Sequence, residues 1–510
     1  PRLFLVVLEG QSYVYNAYLL SLSSLLILAG AMADFYGRRR MFAIGTAGFG
    51  VASVLCGLSP NMEFLVMARV VQGAFGALLV PGSLALLTAN FQGEEQGRAF
   101  GIWAGAASGT TILGPFVGGV LVDSVSWRAV FLVNVPFILL ALYALRHVPE
   151  SRDEDASSDF DWIGAVLAAL AVGGLAIGAI NGQQRNWSDP LAYIFLAVGA
   201  VTAIAFPFVM ARRPHPLVPL RLFRSRNFSV TNISTLLIYG SLYVTFLFNA
   251  LFLQGTIGYT AAAAGLVGIP GSILLTIFSA RVGKFSARYG PRWFMAVGPA
   301  LMGVGVLWLA RVPSSTTPWH LVPTRVSSFV PPGGFLVDLL PGLLLFGAGL
   351  TVMVAPLTTA LMTSVPAHNS GLASAINNAV SRVGPQLAGA VIFVAITGSF
   401  YSGLASRLPG TNPSSQAVRA SVAPLNQPVA TASVGGFSGS RLQQAARDAS
   451  TDAYHLAMLV VAALLFAGAL VNAVGIRNPA PASGGVPEPE PKAGAVSPGP
   501  AAASAAGPAS

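Results

Sequence analysis

The sequence predicts an all-α polytopic membrane protein built as two related halves, and three observations lead there. Of its 510 residues, 54% are hydrophobic and only 9% charged, a balance that excludes an ordinary soluble enzyme. Apolar stretches long enough to cross the hydrocarbon as helices, about 18 residues or more, recur from end to end. A charged turn between two such stretches, GAMADFYGRR at 30–39, returns as GKFSARYGPR at 283–292, with Gly30 aligned on Gly283, Gly37 on Gly290 and Arg39 on Arg292. Strands of an outer-membrane barrel would alternate with period two over roughly ten residues, and these stretches do not.

Thirteen spans are expected, at 14–33, 41–59, 64–89, 98–122, 127–147, 162–181, 190–211, 228–253, 262–282, 293–311, 336–363, 371–398 and 453–475. They divide into a first half at 1–147, a linker with two further helices at 148–227, and a second half at 228–475. The outer segments 312–335 and 399–452 and the tail 476–510 are rich in Ser, Ala, Gly and Pro and read as structureless, the tail as disordered. Duplication with matching turns points to a transporter whose binding site lies between the halves near the midplane.

In the turn after the first span, Gly30 permits close helix packing and Gly37 a backbone angle that residues with a Cβ avoid. Asp34 then sits at the bilayer edge. A carboxylate there can accept from a neighbouring helix N-terminus and pair with an arginine. In the second copy Ala287 replaces the acid and Pro291 the first arginine, so the second turn should bind less strongly.

In the span 64–89, Arg69 is the costliest side chain: facing lipid in mid-bilayer costs about 2.5–3.5 kcal/mol on insertion scales. It is therefore expected to face a cavity, or to form a structural pair with a neighbouring group. Gln72, Gly73 and Gly76 share its helix face. In the span 98–122, Pro115 removes a backbone donor and bends the helix, while Gly114, Gly118 and Gly119 admit a facing helix. The loop RHVPESRDEDASSDFD at 146–161 mixes both charges and reads as a solvated linker without chemistry. Tyr239, Tyr243, Phe246 and Asn249 fall within a turn or two of one another, suited either to an apolar cavity or to lipid and interhelical contacts. Further on, Asn377, Asn378 and Arg382 are polar enough to face protein or water.

Charge placement gives an orientation. One set of short loops holds Arg38, Arg39, Arg40, Arg212, Arg213, Arg221, Arg224, Arg226, Lys284, Arg288 and Arg292, whereas the opposite loops near 60, 124, 185 and 257 hold only Arg185. The arginine-rich set is expected in the cytoplasm, which places residue 1 outside and the tail inside. The single cysteine, Cys56, leaves no disulfide within the chain. His147, His215, His320, His368 and His455 lack metal-ligand spacing, and no phosphate-cradling loop occurs. No cofactor, metal or nucleic-acid partner is expected, and an enzyme reading is poor.

Taken together, GAMADFYGRRR at 30–40, RVVQGAFGA at 69–77, LGPFVGG at 113–119, SWRAVFLVNVP at 126–136, FDWIG at 160–164 and HPLVPLRLFRSRNFS at 215–229 resemble the major facilitator superfamily. The resemblance is specifically to its fourteen-helix drug/proton antiporter subfamily and runs from residue 1 to about 478. It implies that Gly30, Asp34, Gly37, Arg38 and Arg39 latch the two halves on the cytoplasmic side, with Arg40 serving topology alone. It implies proton relay for Arg69, Gln72 and Gly73, and an antiporter signature for Gly114, Pro115, Gly118 and Gly119, although Thr110 stands where that pattern carries another glycine. Pro1 stands where the first helix of such proteins ends, so a span carrying an aspartate is expected to precede it. The implied activity is efflux of small amphipathic compounds against protons by a monomer in the bacterial cytoplasmic membrane. An uptake facilitator and a non-transporting receptor or assembly partner are the alternatives. With Asp338 at a helix edge and no clearly central acid in the spans, a neutral or amphipathic substrate is favoured over a dication.

Overall fold

The computed structural model describes residues 2–478 except 92–98, 152–159, 185–188, 323–324, 367–368, 413–414 and 427–431, and between 99 and 124 only residues 99, 102, 103, 106, 107, 110, 114, 117, 118 and 121. The expected disorder of the tail, and Pro115 and Gly119, lie outside the described residues.

The first half opens with α1 (Arg2–Tyr36), α2 (Arg38–Gly57) and α3 (Met62–Asn90). Gly37, at φ 107°, separates α1 from α2 in a single residue, a conformation that glycine alone adopts without strain. The Asn61 side chain starts α3 by accepting from the Phe64 N–H at 2.8 Å. The described residues between 99 and 121 are all helical. Two short helices follow, α4 (Ala129–Leu132) and α5 (Asn134–Leu145), where one unbroken span was expected. The linker helices are α6 (Trp162–Gln184) and α7 (Pro190–Arg212), the latter with Asp189 as its cap and Pro190 in its first turn.

In the second half, α8 (Arg226–Leu251) runs into a π-helical turn at Phe252–Ile257, followed by α9 (Ala261–Leu266), α10 (Ile269–Tyr289), α11 (Pro291–Leu309), α12 (Leu340–Thr363) and α13 (Ser370–Arg407). A short helix α14 (Gln416–Ser421) and a hairpin of β1 (Ser433–Val434) and β2 (Phe437–Ser438) lead to α15 (Gly439–Gly475). Among the described residues, 11 helices are long and apolar enough to cross a membrane. Of the thirteen expected, 127–147 falls short because its apolar helix covers only Ala129–Leu145, and 98–122 lies mostly outside the described residues.

The expectation that 312–335 and 399–452 are structureless is corrected. With 38 and 37 residues, α13 and α15 at about 1.5 Å per residue are far longer than a hydrocarbon core of roughly 30 Å. Their projecting ends bury Leu404, Leu408, Leu442, Ala446 and Ala449 together with Val418, Val422 and Leu425 in the core of the second half. Across 312–335, the Trp319 indole donates to the Ser328 carbonyl at 2.9 Å and the Leu321 N–H to the Thr260 hydroxyl at 3.1 Å. The small residues that look like low complexity in sequence are the ones that let these helices approach.

In the first half α1 and α2 pack on α3, and α2 on α5; in the second, α11 packs on α12 and α15, and α8 on α13 and α15. The halves meet where α13 lies against α1 and α3, with α6 alongside both α1 and α13. The second turn repeats the first in backbone: Gly290, between α10 and α11, has φ 85° and ψ 152°, against φ 107° and ψ 130° at Gly37.

Candidate functional site

At the arginine-rich end, α1 delivers Asp34 to the start of α13. Its Oδ2 accepts the Leu372 N–H at 3.1 Å, a contact between residues 338 positions apart. Oδ1 accepts from Arg38 at 3.0 Å (Nε) and 2.9 Å (Nη2), and Asp34 is buried. A carboxylate of the first half thus caps a helix of the second, where the positive end of the helix dipole favours negative charge. Close approach makes this possible: a methyl on Gly371 would stand 2.6 Å from Oδ1, and one on Gly30 would collide with the Ala375 methyl and stand 3.1 Å from the Gly371 carbonyl.

Glu150 completes the turn from the other side. Its carboxylate accepts from the Arg39 N–H at 2.9 Å and the Arg40 N–H at 3.0 Å, capping α2, while the Arg38 N–H donates to the Ser151 carbonyl at 2.8 Å. A Cβ on Gly37 would lie 2.8 Å from that carboxylate. The arginine backbones, not only their charges, therefore shape the turn. The reading of 146–161 as a linker without chemistry is corrected here, and also at its other end. Asp161 accepts from Arg213 at 2.8 Å, the Gly164 N–H at 2.9 Å and the Leu217 N–H at 3.1 Å. Burial alone would raise its pKa; the hydrogen bonds from Arg213, Gly164 and Leu217 and the guanidinium charge outweigh burial and hold it below the usual carboxylate value. Asp34, Asp161 and Arg213, with Arg221, Arg224 and His215, line a cavity of about 660 Å³ at this end of the bundle, beside the cap and away from mid-bilayer.

Deeper, Arg69 on α3 ties three neighbours together. Its Nη1 donates to Gln72 Oε1 at 2.6 Å and its Nε to the Val14 carbonyl at 3.2 Å, and the guanidinium lies over the Tyr18 ring at 4.2 Å. Gln72 Nε2 passes the chain on to Ser53 Oγ at 2.7 Å, which Asn134 Nδ2 also approaches at 3.5 Å. The network therefore joins α1, α2, α3 and α5. A Cβ on Gly73 would collide with Ser21 and the Tyr18 carbonyl, so α3 fits against α1 only with glycine there. Ser53, Tyr18 and Asn134 carry no sequence signal of their own; they become visible once the helices pack.

Other expected residues are less united. Among the described residues nothing lies within 4 Å of a Cβ built on Gly114 or Gly118. Tyr239, Tyr243, Phe246 and Asn249, open to a cavity role or to lipid and interhelical contacts, have different surroundings. Asn249 is buried and accepts from the Tyr454 hydroxyl at 3.0 Å inside the second half, and Phe246 meets Phe346 edge-on at 5.8 Å. Tyr239 packs on the core of that half, and Tyr243 is half-buried. On α13, Asn377 donates to Thr235 at 2.8 Å and Asn232 at 3.2 Å, and Asn378 to Ser374. Arg382 is half-buried one turn further, and its charge reaches both Tyr18 on α1 and Tyr239 on α8.

Comparison with known proteins agrees with this architecture. The multidrug resistance protein Stp of Mycobacterium tuberculosis is 34% identical over 393 residues, 77% of this chain and 70% of its own. The multidrug efflux pump LfrA of Mycolicibacterium smegmatis is 31% identical over 476 residues, 92% of this chain and 89% of its own. The solved structure of a peptide transporter, POT, superposes with a TM-score of 0.54 at 14% identity, covering 90% of this chain and 85% of that one, a likeness of fold alone. The Major Facilitator Superfamily matches residues 8–389. With its multiple spanning helices and paired turns, the chain belongs to the Major Facilitator Superfamily and is a multi-pass transporter of the bacterial inner membrane.

Proposed function

We propose that the protein exports small amphipathic organic compounds in exchange for protons, acting as a monomer whose halves rock about the contact of α1 with α13. The cap of Asp34 on the Leu372 N–H carries this reading. It is a polar tie between the halves at one end of the bundle, strong enough to hold that end shut and weak enough to be broken in each cycle. By the arginine placement that end is cytoplasmic, so the described conformation is closed towards the cell interior. The outward direction rests on relatives named for multidrug resistance and efflux.

Proton coupling rests on the Arg69 network. A charged side chain held inside the spans by Gln72, the Val14 carbonyl and Tyr18 can change the protonation equilibrium of a titratable group that comes near it or leaves it as the helices shift. Purified protein in liposomes tests the reading. Counterflow of labelled substrate establishes transport, and an imposed gradient, acidic on the outer face, should drive substrate outward. Counterflow that ignores the pH gradient would leave a facilitator, and absence of counterflow would remove transport of the tested compounds.

A further inference from the structure

We infer that the cavity beside the Asp34 cap binds a phosphate diester whose alcohol carries hydroxyl groups, either the headgroup of a glycerophospholipid or the same diester in solution. The site stands apart from the direction and coupling of transport. Its volume of about 660 Å³ lies in the range of small-molecule pockets. Three spans have an end on it: α1 at Asp34 and Phe35, α7 at Met210 and α13 at Leu372. It therefore sits at the depth where helices leave the hydrocarbon and lipid headgroups begin, a setting in which basic pockets between spans take anionic headgroups. Phe35 and Phe160, edge-on at 5.5 Å, give it an apolar wall.

Two features set the chemistry of the ligand. The acids of the cavity are already matched, Asp34 by Arg38 at 2.9 Å and Asp161 by Arg213 at 2.8 Å. Arg221 and Arg224 line it in surplus: both are exposed, and among the described residues their side chains make no hydrogen bond or ion pair. They share a 3₁₀ turn, Leu220–Arg224, in which residues three apart eclipse, so the two guanidiniums leave the chain along one edge. An anion there relieves their repulsion, and the planar fork of arginine suits phosphate. The loop is held in advance, since Pro214, Pro216 and Pro219 restrict its backbone, Leu217, Val218 and Leu222 are buried, and the Leu217 N–H donates to Asp161 at 3.1 Å. The second feature is Asn369, at the start of α13. It lines the same cavity at 8% exposure, caps nothing with its side chain, and its Oδ1 is buried without a hydrogen-bond partner. A buried acceptor left unpaired is costly, so this oxygen calls for a donor. With two cations already in surplus, a neutral hydroxyl suits it better than an ammonium.

The test titrates the full chain, stripped of lipid in detergent, and counts bound ligand by native mass spectrometry. The probes are dioctanoyl phosphatidylglycerol, dioctanoyl phosphatidylmethanol, which has the same charge and no hydroxyl donor, and glycerophosphoglycerol, the first headgroup without acyl chains. Wild type should bind phosphatidylglycerol about fivefold more tightly than phosphatidylmethanol, the size of one neutral hydrogen bond. Arg221→Gln combined with Arg224→Gln should weaken both lipids about tenfold or more, and because both arginines are exposed the melting temperature should not move. Asn369→Ala should weaken phosphatidylglycerol alone, to the level of phosphatidylmethanol. Glycerophosphoglycerol distinguishes the sources: binding that the same variants weaken supports a diester taken from solution, and its failure beside bound phosphatidylglycerol supports the lipid. Absence of saturable binding by all three probes overturns the site, as does binding that the paired Gln variant leaves unchanged. Equal affinity for the two lipids, or tighter binding of dioctanoyl phosphatidylethanolamine, overturns the hydroxyl assigned to Asn369.

Discussion

Asp34→Asn isolates the tie between the halves, because the amide keeps the shape of the side chain and removes its charge. The bond to Arg38 joins α1 to α2 within one half and persists whichever way the halves rock, so its loss changes the conformational equilibrium little. The bond to the Leu372 N–H crosses between the halves, and only that part counts. A charge-assisted hydrogen bond contributes about 1.5–3 kcal/mol, and an anion at a helix N-terminus about 0.3–1 kcal/mol. Asparagine can still offer its carbonyl oxygen, so the net loss should be about 2 kcal/mol, or roughly a thirtyfold shift away from the closed state. In a Cys56→Ser background, spin labels at Arg40→Cys and Thr363→Cys report the distance between the halves at this end. The wild type should show mainly the short distance and the Asn variant mainly a longer one, with efflux reduced about tenfold or more at equal expression. An unchanged distance distribution, or near-normal efflux, would refute the role given to Asp34.

Three further outcomes follow from the same geometry. Arg69→Ala should abolish efflux against a gradient while counterflow of substrate survives in part, and Arg69→Lys should keep some coupling as a point charge without the planar fork; full gradient-driven efflux by the Ala variant would make Arg69 structural only. Glu150→Ala leaves the Arg39 and Arg40 N–H groups without the acceptor seen here, a lost cap of about 1 kcal/mol, which should lower the melting temperature of the detergent-solubilised protein by about 2–4 °C, and an unchanged value would show that water serves the helix end equally well. For Asp161, the folded-state pKa is depressed, so its contribution is present above the ordinary value of about 3.9 and is lost as pH falls through the folded value; Asp161→Asn should therefore be less stable than wild type at pH 7, with the gap closing below about pH 4, and a gap that stays constant with pH would contradict the assignment.

Much of the turn was legible because its requirements are local. A positive-φ position between two apolar runs asks for glycine, and Gly37 answers at φ 107°; an acid at a membrane edge asks for an arginine and a helix start. What cannot be read locally is which helix start. Leu372 is 338 positions from Asp34, and no periodicity within either span refers to the other. Glu150 failed to show for a related reason, since a carboxylate in a mixed-charge loop looks alike whether it is solvated or caps a helix more than a hundred positions away. Asp161 did leave a trace, as an acid directly before the first residue of an apolar helix. The set on α8 could be read only as a choice between cavity and interhelical contact, because helical spacing fixes a face and not what that face meets: Asn249 meets Tyr454. The segment 399–452 misled because alanine and serine, which mark disorder in isolation, are also the residues that allow two long helices to touch.

The two turns share a backbone but not a task, and the difference shows where motion can occur. In the first copy the acid of α1 reaches out of its own half to α13. In the second, Arg292 donates to the Ala473 carbonyl at 2.7 Å, and Arg226 to the carbonyls of Gly475 and Val474 at 2.8 Å each, while Asn472 donates to the Met295 carbonyl at 2.8 Å. The arginine bonds satisfy free carbonyls at the end of α15 with positive charge, where the helix dipole favours it. They join α8, α11 and α15, all of one half. With Ala287 in place of the acid that binds across, and arginines that bind within, the second half should be a rigid unit at this end and leave the crossing tie to Asp34. Rocking should then change the separation of α1 from α13 while α11 and α15 keep theirs, and a spin-label pair on α11 and α15 that moves with substrate as much as the Arg40–Thr363 pair would show that the second half deforms instead.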